Sequence, residues 1–370
     1  MNRNKLANSV SAAYRRGTGK ANQRPSFLRY FGFADDPFDI EFVLKQSRLP
    51  DGSLDVTIGE LKEEDLPEAS RIVRLAFGTR EGLPDPMQVF GDRDFFSNRW
   101  RAHHDRVLGA FLSGNVVGSN VVSRWGTFGW FGPLAVRPDL WDKGIAKRLL
   151  DRTMEMFSRW GTTHDGLETS PVSPKHLGLY EKFGFHARFL TPIMKKRVAT
   201  SDGKHGPASF ETFSGLTSDQ EKHQILRELM EFSDRIYPGL DLSDAIIAVA
   251  SLGLGDTIVV KDGSTIVGFA VCQHGAGTEG GAGNCYVKFG AVQPGTLSDG
   301  RFDNLISAIE SYAIVHGLTT VEAGVNMGRR RAYKRMIEHG YRTEIIDVAM
   351  QKPNTEGFNR EDVFAIDDWR

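Results

Sequence analysis

The stretch DLWDKGIAKRLL, Asp139 to Leu150, follows the strand-like FGPLAVRP and opens an amphipathic run. Its reading decides the fold. A phosphate group binds well where several backbone N–H groups converge at a helix N-terminus and side chains stay clear. Gly144 permits close approach, Ala146 is small, and Lys143, Lys147 and Arg148 add positive charge. Taken alone, the stretch supports two readings: a phosphate cradle, or an ordinary turn from strand into helix.

The surroundings are regular. LDVTIGEL, from Leu54, alternates like a strand, and KEEDLPEASRIVRLAFG places Leu66, Ala69, Ile72, Val73 and Ala76 on one helix face. Gly78 to Asp94 reads as a loop. RVLGAFLSGNVVGSNVVS is a hairpin, TFGWFGPLAV the next strand, and a helix follows with Ala146, Leu149, Leu150, Thr153, Met154 and Phe157 on one side and Gly161 as its stop. THDGLETS is a strand, and a helix near Lys175 to Lys182 leads to FGFHARFL. A second round begins near Phe210 with a helix from Asp219 to Ile236, a hairpin turning at Asp262-Gly263, the strand NCYVKFGAVQP, the helix RFDNLISAIESYAIVHG and the strand TTVEAGVN. The rounds superpose without a gap. Leu134 matches Gly290, Val136 matches Val292, Gly144 matches Gly300, Gly161 matches Gly317, and Gly184-Phe185 matches Gly340-Tyr341, each pair 156 positions apart. One α/β unit is therefore duplicated within the chain.

In the first unit the sequence resembles the GNAT family of acetyl-CoA-dependent N-acetyltransferases, over about Val56 to Met194 and most strongly over Gly132 to Phe185. The family's strand ends in L-x-V before a proline, then Arg/Gln-x-x-Gly-x-Gly/Ala opens a helix, and a tyrosine stands four residues before a Gly-Phe pair. Here these are Leu134-Ala135-Val136, Pro138, Trp141-Asp142-Lys143-Gly144-Ile145-Ala146, and Tyr180 with Gly184-Phe185. The resemblance implies two tandem GNAT-like units of α/β (α+β) class, each a mixed, mostly antiparallel twisted sheet flanked by helices. It implies that Leu134, Ala135 and Val136 line the pantetheine arm, with backbone groups of Ala135 and Val136 holding it. The turn Asp142, Lys143, Gly144, Ile145, Ala146 would hold the pyrophosphate of acetyl-CoA, the co-substrate, and Tyr180 would stand near the thioester sulfur. Two positions depart from the pattern: Trp141 stands where Arg or Gln is usual, and Ser173 where Asn is common.

Acetyl transfer to an amine needs a neutral amine, a polarised carbonyl and a protonated leaving thiolate. A phenol can donate to a forming thiolate, so Tyr180 is the candidate acid. Glu168, on the strand after the cofactor helix, is the candidate base, against the reading of an ordinary strand-end carboxylate. His164, Asp165 and His176 are weaker candidates, and a base acting through water is the alternative. His103-His104-Asp105 looks like a metal cluster, but adjacent histidines on a strand point to opposite faces, so no metal is expected. In the second unit Asp299 replaces Lys143, Phe302 replaces Ala146 and Met336 replaces Tyr180. It reads as a fold retained without its cofactor site.

Composition bounds the rest. With 46 basic and 47 acidic residues the formal charge is −1, which argues for neither nucleic acid nor an anionic membrane as partner. Cys272 and Cys285 lie in apolar runs and read as buried thiols of a reducing compartment, the cytoplasm. Residues 1–34 carry seven Lys or Arg and no acid, as a flexible basic arm or a transit peptide would. The expected organisation is a basic arm and linker (1–53), an acetyltransferase unit (54–198), a linker (199–207), a degenerate unit (208–352) and a C-terminal tail (353–370). The expected partner is an amine acceptor, small molecule or protein; the sequence does not name it, and it allows a homodimer. The leading function is N-acetyl transfer in a ternary complex. The alternatives are a non-catalytic acyl-CoA sensor and an interaction protein without cofactor.

Overall fold

A computed structural model describes residues 44, 47, 49, 54–199 and 209–370. The basic arm expected over 1–34 and most of the linker expected over 199–207 lie outside the described residues. The chain divides into two compact units, Met1–Asp55 and Val56–Arg370. In the first, the Asp55 amide donates to the Ser47 carbonyl at 2.7 Å. No helix of the described residues is long and apolar enough to cross a membrane.

In the second unit, strand β1 (Val56–Glu60) precedes helix α1 (Leu66–Glu81), in which the five expected residues are all buried. Helix α1 runs past Gly78, read from sequence as a loop residue, and ends at left-handed Gly82. Gly78 is a contact point: a Cβ there would lie 2.1 Å from the Pro86 carbonyl oxygen. After the short helix α2 (Ser97–Ala102) come β2 (Val107–Leu112) and β3 (Asn115–Trp125), turning through Ser113 and Gly114 at positive φ, and β4 (Phe128–Val136). Helix α3 (Ile145–Trp160) ends at left-handed Gly161, as expected, but buries Ile145 and Met156 in place of Ala146 and Met154. Strand β5 (His164–Thr169), helix α4 (Pro174–Glu181) and β6 (His186–Arg197) complete the first half.

The second half repeats this order. After β7 (Glu211–Thr212) comes α5 (Asp219–Ile236), where the Ser218 side chain and Glu221 form a reciprocal capping box that sets the start. Then follow α6 (Ser243–Ser251), β8 (Gly255–Asp262), β9 (Thr265–Gly275), β10 (Gly281–Val292), α7 (Ser298–Val315), β11 (Thr320–Gly324), α8 (Arg330–Glu338), β12 (Arg342–Lys352) and β13 (Ala365–Asp367). The register read from sequence aligns β4, α3, β5, α4 and β6 with β10, α7, β11, α8 and β12.

The halves share one sheet, ordered β1-β2-β3-β4-β5-β12-β6-β11-β10-β9-β8-β7, with β13 on β10. Neighbours run antiparallel except β4 with β5 and β10 with β11. The last strand of each half is exchanged: β12 pairs with β5 of the first half, and β6 pairs with β11 of the second. Two halves continuous in sequence are thus interlocked in space. Residues 353–370, read from sequence as a tail, belong to the core: Phe358, Val363, Phe364, Ile366 and Trp369 are buried. Phe358 and Trp369 join one apolar cluster with Phe128 and Trp130 of the first half and Phe232 and Phe289 of the second.

Candidate active site

The site starts from a parting of strands. β4 and β5 pair only at Phe128–His164, Gly129–Asp165 and Trp130–Gly166. Beyond Trp130 they separate, and β4 runs on to Val136 with its β5 side open. The cause is local. Between Phe131 and Leu134, β4 carries the extra residue of a bulge, at Gly132-Pro133, opposite β3. Gly132 has φ 146° and Pro133 has no N–H to give a ladder.

The ladder beyond the bulge fixes which backbone groups face the notch. The Arg137 amide donates to Val117 at 3.0 Å, and Val136 stands opposite Gly118. In an antiparallel pair, bonded and non-bonded residues alternate. Ala135 is therefore bonded to β3, while the N–H and C=O of Leu134 and Val136 point toward the open side. This corrects the expectation that the Ala135 backbone lines the notch. Leu134 takes that role. One of the four groups is already engaged: the Trp141 indole N–H donates to the Val136 carbonyl at 2.8 Å. The residue that replaces the usual Arg or Gln ties the turn back to the strand.

The turn is a nest. Asp142 has φ 65° and Gly144 φ 79°, and among the described residues no side chain caps the N-terminus of α3, which leaves the first N–H groups of that helix open to an acceptor. Asp142, Lys143 and Gly144 are exposed, Ile145 is buried beneath, and Ala146 is half-buried at the rim. Lys175, from the first turn of α4, reaches the Asp142 carboxylate at 2.6 Å and lies 5.6 Å above the Trp141 ring. Lys147 pairs with Asp151 at 3.2 Å, along its own helix.

Ser173 precedes α4 as its cap residue, half-buried, and its side chain makes no capping bond. Tyr180 is buried at the other end of that helix, its ring 5.8 Å from Phe131 and 6.4 Å from His176. Its hydroxyl makes no hydrogen bond among the described residues. Burial pushes the phenol up to about 12, with Arg80 pulling the other way. Phe185 is fully buried against Phe131, and its amide closes the helix by donating to the Tyr180 carbonyl at 3.2 Å.

Glu168 lies on the opposite face. Gly166 pairs with Trp130 and shares its face, and Glu168, two residues on, returns to it. Phe131, and with it Tyr180, belongs to the other face. The Glu168 carboxylate accepts the Trp369 N–H at 3.1 Å. Burial raises its pKa well above the usual carboxylate range, and Asp368, Asp367 and Asp347 raise it further.

The other candidates fall elsewhere. His164 is buried at the paired end of β5, 5.4 Å from the Phe128 ring, where burial pushes it down to about 4. Asp165, also at the paired end, accepts the Thr162 hydroxyl at 2.6 Å and is raised by burial to about 6. His176 is one turn before Tyr180, its pKa lowered by burial and by Arg80 and Lys175. His103 and His104 are not on a strand. His103 ends α2 and stands 3.8 Å from Asp244, while His104 stacks on Trp100 at 4.8 Å. Sequence reasoning missed Asp347 and Arg80, which lie within electrostatic reach of Glu168 and Tyr180 respectively. Asp347 comes from the exchanged strand, and no local pattern announces it.

The second half shows the same parting, filled. β10 and β11 pair from Asn284–Thr320 to Val287–Ala323, and beyond that β13 takes the open side. Gly290 and Val292 match Leu134 and Val136. Gly290 stands opposite Ile366, and the Val292 amide donates to the Phe364 carbonyl at 3.1 Å. The groups that have no strand partner in the first half are bonded to the chain's own strand in the second. The turn has also gone. Helix α7 begins at Ser298, so Gly300 is inside a regular helix, where Gly144 is a left-handed cap. Phe302 is fully buried against Phe364, Asp299 pairs with Arg331, and Met336 is buried.

Comparisons with known proteins agree with this geometry. Residues 73–185 match the acetyltransferase (GNAT) family. A putative acetyltransferase from Pyrococcus horikoshii is similar in structure at a TM-score of 0.60 and 14% identity, over 85% of this chain and 95% of that one. A GCN5-related N-acetyltransferase from Sphaerobacter thermophilus is similar at a TM-score of 0.54 and 16% identity, over 82% and 96%. At these identities the likeness shows the fold. No curated protein matches the sequence. Residues 73–185 thus match the GNAT acetyltransferase family, within a fold that solved GNAT structures share over most of the chain's length.

Proposed function

We propose that the protein is an acetyl-CoA-dependent N-acetyltransferase that works in the notch of its first half and acetylates a primary amine directly. One observation carries this reading: the parting of β4 from β5, with backbone groups of Leu134 and Val136 turned into it. The uncapped turn Asp142–Ala146 follows β4, and Tyr180 packs against Phe131 of the same strand. In this reading the Leu134 backbone and the Val136 amide hold the pantetheine arm as a strand would be held. The amides opening α3 hold the pyrophosphate, with Lys143 and Lys175 adding charge. Bound acetyl-CoA supplies the activated acyl group. Tyr180 keeps its proton through neutral pH and presents it on the α4 face, toward the leaving sulfur. The amine approaches from the opposite face, where Glu168 stands as proton acceptor.

The test is thiol release from acetyl-CoA with spermidine, lysine, glucosamine, benzylamine and an alanine-initiated peptide as acceptors. Amine-dependent release is expected for at least one, with kcat about 100-fold lower in Tyr180→Phe. Equal rates in the variant would remove Tyr180 from the mechanism. A second reading, a non-catalytic acyl-CoA sensor, draws on the Trp141 indole that occupies the Val136 carbonyl and on the Trp369 amide that holds Glu168. Acetyl-CoA binding without turnover of any of these amines would favour it.

A further inference from the structure

The exchange of terminal strands carries a residue of the second half into the first half's site. β12 lies against β5, with Ala349 opposite Glu168 and Val348 opposite Thr169. Residues paired across a ladder share a face, and alternate residues along a strand return to it. Asp347 therefore stands on the face of Glu168, one step toward the strand end. Its surroundings agree: Asp347 acts electrostatically on Glu168, and Arg370, Asp368, Arg80 and Glu81 act on Asp347. Arg80, in the last turn of α1, also acts on Tyr180 and His176 from its place near the α4 side. Asp347 thus shares the face of Glu168, within electrostatic reach of Arg80 at the end of α1.

Its bonding state is informative. Glu168 accepts one backbone N–H. Asp368 is bound by Arg370, which also reaches Glu322, and Arg80 is bound to Glu81 at 2.7 Å. Asp347 is half-buried and has no hydrogen bond or ion pair among the described residues. A half-buried carboxylate with no protein partner keeps its oxygens available to water or to a cation.

Resting on the proposed function, we propose that Asp347 is the second half's contribution to the active site: it binds the acceptor as an alkylammonium ion and holds it beside Glu168, the proton acceptor. The acceptor class that follows is a primary alkylamine, cationic at neutral pH, in preference to a neutral arylamine. One ammonium proton passes to Glu168 and on to solvent. The freed nitrogen forms the C–N bond as the C–S bond breaks, and the sulfur takes the Tyr180 proton. The second nitrogen proton, passed through solvent, restores Tyr180. Ammonium and thioester thus give amide, thiol and one released proton. The second half is kept because the first half's acceptor site is incomplete without its last strand.

The experiment uses the full chain, with Asp347→Asn and Asp347→Glu. Benzylamine and 4-methylaniline serve as cationic and neutral acceptors of similar shape, beside spermidine and lysine. For the fastest alkylamine, kcat/KM is expected to fall at least about tenfold in Asp347→Asn, mainly through acceptor KM, with Asp347→Glu recovering part of the loss. Acetyl-CoA affinity, measured by calorimetry, should stay unchanged in both variants, which also shows that they fold. Wild type should acetylate benzylamine in preference to 4-methylaniline. Unchanged acceptor KM and kcat in Asp347→Asn, or equal use of the two probes, would overturn the assignment while leaving the proposed function intact. A wild-type protein that binds acetyl-CoA and acetylates none of the amines would overturn both.

Discussion

Two notches built by one duplicated unit differ in what lies beside the inner strand. In the first half, Leu134 and Val136 turn their backbone groups toward an open gap. In the second, Gly290 and Val292 turn the same groups toward Ile366 and Phe364 of β13. The ladder alternation is identical, so the difference is in the occupant. A strand bonded there is self-sufficient and needs no ligand. An unpaired strand edge offers main-chain recognition to any extended arm that fits. The turns differ in the same sense, since Gly144 is a left-handed cap and Gly300 an ordinary helical residue.

The largest effect expected from this comparison is on the strap that fills the second notch. Trp369 is buried and packs 4.9 Å from the Phe128 ring and 6.0 Å from Phe358. Trp369→Ala should cost about 3–5 kcal/mol in denaturant unfolding. A cost under about 1 kcal/mol would mean that the final segment is not part of the shared core. Next comes the first turn. Gly144→Val places a β-branched residue in the left-handed region and a side chain over the nest. Acetyl-CoA affinity should fall at least about 30-fold, with about 1–2 kcal/mol lost in stability. Calorimetry and thermal unfolding measure the two.

Tyr180 gives a pH test. Its folded pKa is raised to about 12 by burial, above the ordinary phenol value. The stability it contributes is therefore present below about pH 10 and lost as pH rises toward the folded value. Tyrosinate absorbance of wild type minus Tyr180→Phe should appear only above the ordinary range. Appearance near pH 10 would place the phenol in solvent. The smallest expected effect has the opposite sign. Gly300 is exposed in the first turn of α7 with nothing within 4 Å of an added Cβ, so Gly300→Ala should stabilise by about 0.5–1 kcal/mol and leave acetyl-CoA binding unchanged. Destabilisation there would show that the second turn keeps a special conformation.

Much of this was legible in the sequence because it is local. The Gly144 turn, the stop at Gly161, the buried face of α1 and the register between halves follow from periodicity and glycine position. Leu149, Leu150, Thr153 and Phe157 of α3 are buried as expected, and the differences, Ile145 and Met156 in place of Ala146 and Met154, lie at the edges of that face, which periodicity alone does not fix. His103 and His104 misled because a helix end and a strand end carry similar residues. The exchange of β6 and β12, the folding back of Ala365–Asp367 and the arrival of Asp347 beside Glu168 are long-range pairings. Nothing within a few residues of any of them encodes the partner. Glu168 was found from its own strand, and its companion only from the topology.

In the proposed reading one chain binds one acetyl-CoA, in its first half, because its own strand occupies the matching notch of the second. Calorimetric titration with acetyl-CoA tests this most directly. One equivalent should bind per chain, lost in Gly144→Val and retained in Gly300→Ala. Two equivalents per chain, or one that survives Gly144→Val undiminished, would contradict it.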